Sequence, residues 1–165
     1  MKELKEILFG VNIDSVYGDT NVSISSISFD SRKIKQNSVF IAIKGYDLDG
    51  HDYIDQSINN GATVVVCETL PKKINEHNII FITVKCSKTA LYTISSNFYD
   101  NPSSKIDLIG VTGTNGKTTI TSLLYKLFNN QGIKSGLIST INIEYEEFNE
   151  NSKNTTPDPI LLNHH

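Results

Sequence analysis

The chain has 165 residues, 38% of them hydrophobic and 20% charged. That suffices for one domain or two short ones and lies inside the folded range rather than the disordered one. With 15 basic against 18 acidic residues the formal charge is -3, and no basic block stands out, so the electrostatic footprint of a nucleic-acid partner is missing. No stretch approaches the roughly 18 to 20 apolar residues of a membrane span, and MKELKEILFG alternates charge with apolar residues where a signal peptide would run apolar. These features predict a cytoplasmic protein with no membrane partner. Cys67 and Cys86 stand far apart without CxxC spacing and read as reduced core residues.

In chain order, Leu4, Ile7 and Leu8 recur at helical spacing and predict a short amphipathic helix. Ser25 to Phe29 alternates as a half-buried strand should, and Val39 to Ile43 is continuously apolar, as in a strand buried on both faces. Asp30, Ser31 and Arg32 open the connection between them, where an ordinary strand-end turn with a local ion pair is also compatible with the residues. KGYDLDG reads as a loop, after which Tyr53, Ile54 and Ile58 share a helical face that stops at Asn60 and Gly61. Strands follow at TVVVCE and at Asn78 to Val84. Ser87 is placed to cap a helix bearing Leu91, Ile94, Ser95 and Phe98 on one face and ending near Tyr99. His51 has no second histidine or cysteine at ligand spacing and reads as a capping or packing residue. Asp100 to Lys105, DNPSSK, breaks helices and marks a domain boundary.

Beyond it the pattern changes. Ile106 to Thr112 reads as a short apolar strand, GTNGKTT follows at Gly113 to Thr119, and Ile120, Leu123, Leu124, Leu127 and Phe128 then form a helical face ending at Gly132. Phosphate oxygens need inward backbone N–H donors, glycines let the backbone approach them, and a helix N-terminus adds a favourable dipole. Lys117 can reach the β and γ phosphates as a point charge, and the Thr118 hydroxyl is placed to ligate Mg2+. The general G-x4-G-K-[ST] spacing would put glycine where Val111 stands, so this is a variant loop. Some sixty residues from Ile106 onward offer two or three strands and one long helix, too little sheet for a whole phosphate-loop domain. The acids after Lys117 cluster in the polar EYEEFNE, and none follows a buried apolar strand as a metal-binding acid should. Glu150 to Asn154 reads as a mobile polar loop, and Thr155, Thr156 and Pro157 as a helix start, with Asp158 favourable to its dipole.

The string GVTGTNGKTT at Gly110 to Thr119 resembles the ATP loop of the Mur ligase family, cytoplasmic amide-forming enzymes that build the peptide stem of the bacterial cell wall. FDSRKIKQNSVFIAIKGYDLDGHDYI at Phe29 to Ile54 is similar to the uridine-nucleotide-binding N-terminal domain of the MurE and MurF branches, and NTTPDP at Asn154 to Pro159 to a substrate segment of the MurE branch. The resemblance covers essentially the whole chain but only the N-terminal part of a family enzyme. It implies an α/β fold, with a mixed α/β uridine-nucleotide-binding domain over 1–104 followed by the first part of a Rossmann-like phosphate-loop domain, which binds ATP, over 105–165.

Carried over position by position, the resemblance implies that Gly113, Thr114, Asn115, Gly116, Lys117, Thr118 and Thr119 bind ATP, with Lys117 catalytic and Thr118 on Mg2+. It implies that Phe29, Ser31, Tyr46, Asp47 and Leu48 contact the uridine nucleotide, and that Asn154, Thr155 and Thr156 hold the muramyl dipeptide. The implied reaction is ATP-dependent addition of meso-diaminopimelate or L-lysine to UDP-N-acetylmuramoyl-L-alanyl-D-glutamate through an acyl phosphate. This chain is expected to be inactive alone, because the family's metal acid, carbamylated lysine and amino-acid-selecting residues lie downstream. The rival readings are a MurF-type ligase, which adds D-alanyl-D-alanine, and a non-catalytic nucleotide-binding module.

Overall fold

The computed structural model describes residues 1–72, 78–152 and 157–164, which divide into two compact units, Met1–Pro102 and Ser103–Asn163. The first is organised by a five-stranded sheet. Its strands are β2 (Ile13–Tyr17), β4 (Ser26–Ser28), β5 (Ser38–Ile41), β6 (Ala62–Cys67) and β7 (Ile80–Val84), in the order β2-β7-β6-β5-β4. Strands β4 to β7 run parallel, and β2 closes one edge antiparallel to β7. A separate two-residue pair joins β1 (Lys2–Glu3) to β3 (Ser23–Ile24).

Parallel strands covered on both faces are apolar throughout, which is why β5 and β6 read as unbroken hydrophobic runs. Register aligns Phe40, Val65 and Phe81 across β5, β6 and β7. That row belongs to one core cluster with Ile34, Ala42, Ile54 and Cys67, against which Ile58 packs. Val39, Ile41, Val64, Val66 and Ile82 occupy the alternate positions and have no exposed surface either. Helix α1 (Leu4–Ile7) packs on α3 (Ser87–Phe98), which buries Leu91, Ile94 and Ser95 as its spacing predicts. A 3-10 turn at Gly50–Tyr53 leads into α2 (Ile54–Asn59), which gives way at Gly61 with φ 111. At the end of this unit Asp100 and Asn101 adopt positive φ, and a 3-10 turn spans Pro102–Ser104.

Two local expectations are corrected in this unit, and one strand was not expected. Ser87 is the first helical residue of α3 rather than its cap. Cys86 holds the extended cap position, and the Ser87 N–H donates to Glu68 Oε1 at 2.9 Å. Cys86 is exposed and not in the core. The Thr89 hydroxyl and backbone N–H face its sulfur and hold the thiol below its ordinary value, whereas burial pushes Cys67 up to about 11. The edge strand β2 gave no sequence signal, because only Ile13 of its five residues is even half-buried.

The second unit holds α4 (Lys117–Asn130), an antiparallel sheet of β8 (Gly136–Ile138), β9 (Asn142–Tyr145) and β10 (Phe148–Asn151) in the order β10-β9-β8, and α5 (Pro159–His164). Glu150 and Asn151 therefore belong to a strand and not to the expected loop. The Asp158 carboxylate accepts the N–H groups of Ile160 and Leu161, both at 3.0 Å, and so caps α5. The predicted strand at Ile106 to Thr112 is not formed. Ile106, Leu108 and Ile109 are 61%, 78% and 57% exposed, and no described strand pairs with them. A strand requires a neighbour for its backbone groups, and apolar composition alone does not supply one. Helix α4 packs on β8 but buries no residue fully, with Ile120, Leu123 and Leu127 left exposed.

Phe40→Ala is expected to destabilise the first unit by about 3 to 5 kcal/mol, read by urea denaturation, whereas Tyr46→Ala at the fully exposed hairpin tip should change it by less than about 0.5 kcal/mol. In the native chain a thiol reagent should modify Cys86 well before Cys67, its rate rising with pH through a value below that of an ordinary thiol. Cys67 should become reactive only on unfolding.

Candidate functional site

In a parallel sheet every C-terminal strand end lies at the same edge, where ligands of open α/β folds usually bind. Here the connections after β4, β5, β6 and β7 all leave from that edge. The loop after β4 begins with the half-exposed Phe29 and turns at Asp30. The Asp30 carboxylate accepts the Arg32 N–H at 3.0 Å and its guanidinium at two points, each 2.9 Å. The Arg32 guanidinium thereby holds the Asp30 carboxyl below the usual carboxylate range. Ser31 is buried, and its hydroxyl donates to Gln56 Oε1 at 2.8 Å, while its carbonyl accepts Asn60 Nδ2 at the same distance. The turn forms with its ion pair while Phe29 stays partly exposed, and the Ser31 hydroxyl is committed as donor and keeps only acceptor capacity.

The connection after β5 is a tight hairpin. Lys44 bridges Asp49, the Gly45 N–H donates to the Leu48 carbonyl at 2.8 Å, and the Gly50 N–H donates to the Ile43 carbonyl at 2.9 Å. Glycine is needed at two places: a Cβ would stand 2.8 Å from the Leu48 carbonyl at position 45 and 2.6 Å from the Ile43 nitrogen at position 50. Tyr46, Asp47 and Leu48 form the exposed tip. The topology thus brings Phe29, Ser31 and this tip to neighbouring positions along one sheet edge. Asn154, Thr155 and Thr156 lie outside the described residues.

In the second unit Gly113 to Gly116 form a loop that turns directly into α4. Gly113 has φ 148 and Gly116 has φ 79, conformations that side-chain-bearing residues rarely adopt. Gly116 is the cap residue, so no side chain covers the start of α4. Lys117 opens the helix and folds back over the loop, donating to the carbonyls of Gly113 and Thr114, the latter at 3.2 Å. The Thr118 hydroxyl lies 3.1 Å from that of Thr140, and Thr119 is exposed in the same turn. Thr140 is held by a turn in which Ser139 Oγ accepts the N–H groups of Ile141 and Asn142 at 3.2 and 3.1 Å. Thr140 escaped sequence reasoning because nothing in its neighbourhood ties it to the loop 22 residues earlier. No cluster of three His, Cys, Asp or Glu residues suited to a metal occurs among the described residues. Nor is any of the described helices long and apolar enough to cross a membrane.

A glycine loop that opens a helix in one unit, and a parallel sheet whose connections gather at one edge in the other, define a two-unit α/β protein. Residues 23–99 match the model of the Mur ligase family, catalytic domain, and residues 111–165 that of the Mur ligase middle domain. The chain belongs to the Mur ligase family, and within it resembles the MurE type. It is 48% identical over 161 residues to the UDP-N-acetylmuramoyl-L-alanyl-D-glutamate--2,6-diaminopimelate ligase of Cytophaga hutchinsonii, 98% of this chain and 33% of that protein. The same-named ligase of Phocaeicola vulgatus is 44% identical over 161 residues, with the same coverage. That of Clostridium acetobutylicum is 41% identical over 160 residues, 97% of this chain and 33% of the relative. The chain thus spans about a third of the length of these relatives. Among solved structures, MurF from Acinetobacter baumannii superposes with a TM-score of 0.61 at 22% identity, over 78% of this chain and 27% of that one, a likeness of fold. Enzymes of the family generally use ATP and Mg2+.

Gly116→Ala is expected to strain the start of α4 by about 1 to 2 kcal/mol, seen as faster amide exchange in its first turn. Gly110→Ala, where a Cβ meets nothing within 4 Å, should leave exchange unchanged.

Proposed function

We propose that this chain supplies the nucleotide-gripping parts of an ATP-dependent amide ligase that adds a diamino acid, meso-diaminopimelate or L-lysine, to UDP-N-acetylmuramoyl-L-alanyl-D-glutamate. The observation that carries this reading is the loop Gly113 to Thr119, with two positive-φ glycines and Lys117 at the first position of α4. Such a loop fits a phosphate chain. Its backbone can approach the oxygens closely, the helix start is uncapped by side chains, and the Lys117 ammonium already stands over the loop on the Gly113 and Thr114 carbonyls. Moving that ammonium from carbonyl oxygens to phosphate oxygens replaces neutral acceptors by charged ones, which strengthens its hydrogen bonds.

Bound ATP·Mg2+ would supply the phosphoryl group and the charge that activates it. Thr118 would hold the cation through its hydroxyl, with the Thr140 hydroxyl beside it, and phosphate oxygens and water would complete the shell. In the reaction the substrate carboxylate oxygen attacks the γ-phosphorus and ADP leaves. The amine then attacks the carbonyl carbon and phosphate leaves. The role of Lys117 is to stabilise charge spreading over the transferring group, the main source of catalysis in phosphoryl transfer. The chain spans about a third of these relatives' length, and the rest of the reaction centre is proposed to lie in the remainder.

The uridine nucleotide is proposed to sit on the edge formed by Phe29, Ser31 and the hairpin tip. Phe29 and Tyr46 offer aromatic faces, and the acceptor capacity left on Ser31 suits the N–H of a uracil edge. The diaminopimelate ligases that the chain matches favour this reading over a MurF-type ligase or a non-catalytic module.

In NMR titrations of the 165-residue chain, UDP is expected to perturb Phe29 to Ser31 and Tyr46 to Leu48, while ATP·Mg2+ perturbs Gly113 to Thr119. The same residues responding to both nucleotides would contradict the two-site reading. In an enzyme of full family length, Lys117→Ala should lower turnover at least about a hundredfold with its melting temperature nearly unchanged. Wild-type turnover in the folded variant would remove the assigned role.

A further inference from the structure

The imidazole of His51 is held from both sides at the base of the nucleotide hairpin. Its Nδ1 lies 2.6 Å from Asp49 Oδ1, which also accepts the His51 backbone N–H at 3.0 Å. Its Nε2 lies 2.9 Å from the backbone nitrogen of Glu68, the residue that follows β6. A backbone N–H can only donate, so Nε2 must be the acceptor and the ring proton must sit on Nδ1, facing a carboxylate. The Glu68 side chain carries the connection further, since its Oε1 accepts the Ser87 N–H at the start of α3. Asp49 is kept ionised for this role by the two His51 contacts, the backbone N–H first and the ring second, which hold its carboxyl below the usual range. The ring is only 17% exposed, so little water competes for these bonds.

We propose that His51 is the positioning residue of the nucleotide hairpin: in its Nδ1–H form it ties Asp49, at the hairpin base, to the ends of β6 and α3, and so fixes where Tyr46, Asp47 and Leu48 meet the nucleotide. The inference rests on the proposed uridine site. The hairpin has few other restraints. Its tip is exposed, and its internal bonds, Lys44 to Asp49 and Gly45 to Leu48, shape the turn without anchoring it to the sheet. The Gly50 to Ile43 bond fixes the backbone where the chain re-enters, and among the described residues the imidazole is what bridges Asp49 to the neighbouring strand. A loop of this kind binds more weakly when disordered, because ordering it must then be repaid on binding.

The test uses the 165-residue chain with UDP as probe. The 15N pattern of His51 in the wild type should show the Nδ1–H tautomer at neutral pH. In His51→Ala, the Glu68 amide should exchange faster and order parameters at Gly45 to Leu48 should fall, with the sheet amides unchanged. UDP affinity should then drop about tenfold. In His51→Gln, whose amide oxygen can reach the acceptor position, Glu68 protection and most of the affinity should return. An Nε2–H tautomer would overturn the proposal without any variant having to fold. So would a His51→Ala chain with an equally ordered hairpin and unchanged UDP affinity. If the wild type binds no UDP, the uridine reading fails and the substrate half of the proposal with it, while the exchange and order-parameter comparison still decides whether His51 holds the hairpin.

Discussion

The hydrogen-bond ladder of β4, β5, β6 and β7 is the constraint on which the first unit depends. Because these strands are parallel, their pairing forces four chain exits to a single edge. The loops that leave there carry Phe29, Ser31, the hairpin of Gly45 to Leu48, Glu68 and Ser87, residues as much as 58 positions apart in the chain. None of them makes the sheet. The buried rows of Phe40, Val65 and Phe81 on one face, and of Val39 and Val64 on the other, keep the strands in register and so hold the edge in place. Core packing and candidate site are thus one problem: a register slip in β5 would move the hairpin as well as expose the core.

The phosphate loop is built on a different principle. It has no buried side chains to position it. Its geometry comes from backbone angles that glycine allows at 113 and 116, and from the helix that begins immediately afterwards. A candidate site made from N–H groups and one ammonium can form on a surface, since the charge of a phosphate would be met by oriented dipoles rather than by a dry pocket. This accounts for a loop with its characteristic shape beside a helix that buries none of its residues completely.

What the sequence made legible follows from the same physics. Buried parallel strands announce themselves by unbroken apolar runs, so Val39 to Ile43, Thr63 to Cys67 and Asn78 to Val84 were found within a few residues. The glycine turn into α4 was legible because two glycines followed by a helix-period apolar face mark a loop and a helix start locally. Ile106 to Thr112 failed for the converse reason: an apolar run records a tendency to be buried and carries no information on which strand will pair with it. The edge strand Ile13–Tyr17 is mostly exposed and has no period to find. Gln56 beneath Ser31, Thr140 beside Thr118 and the backbone N–H of Glu68 on His51 are tertiary partners at separations of 25, 22 and 17 residues. No local pattern encodes such pairs. For the last, the partner is a main-chain group that every residue but proline possesses.

The most direct test of the account is a crystal structure of the chain with UDP bound. The account expects the uracil ring at the C-terminal edge of the parallel strands, against Phe29, with a contact to the Ser31 hydroxyl oxygen and the hairpin tip alongside. Uracil density at the antiparallel edge formed by Ile13–Tyr17, or at the start of the helix that Lys117 opens with the sheet edge empty, would contradict it.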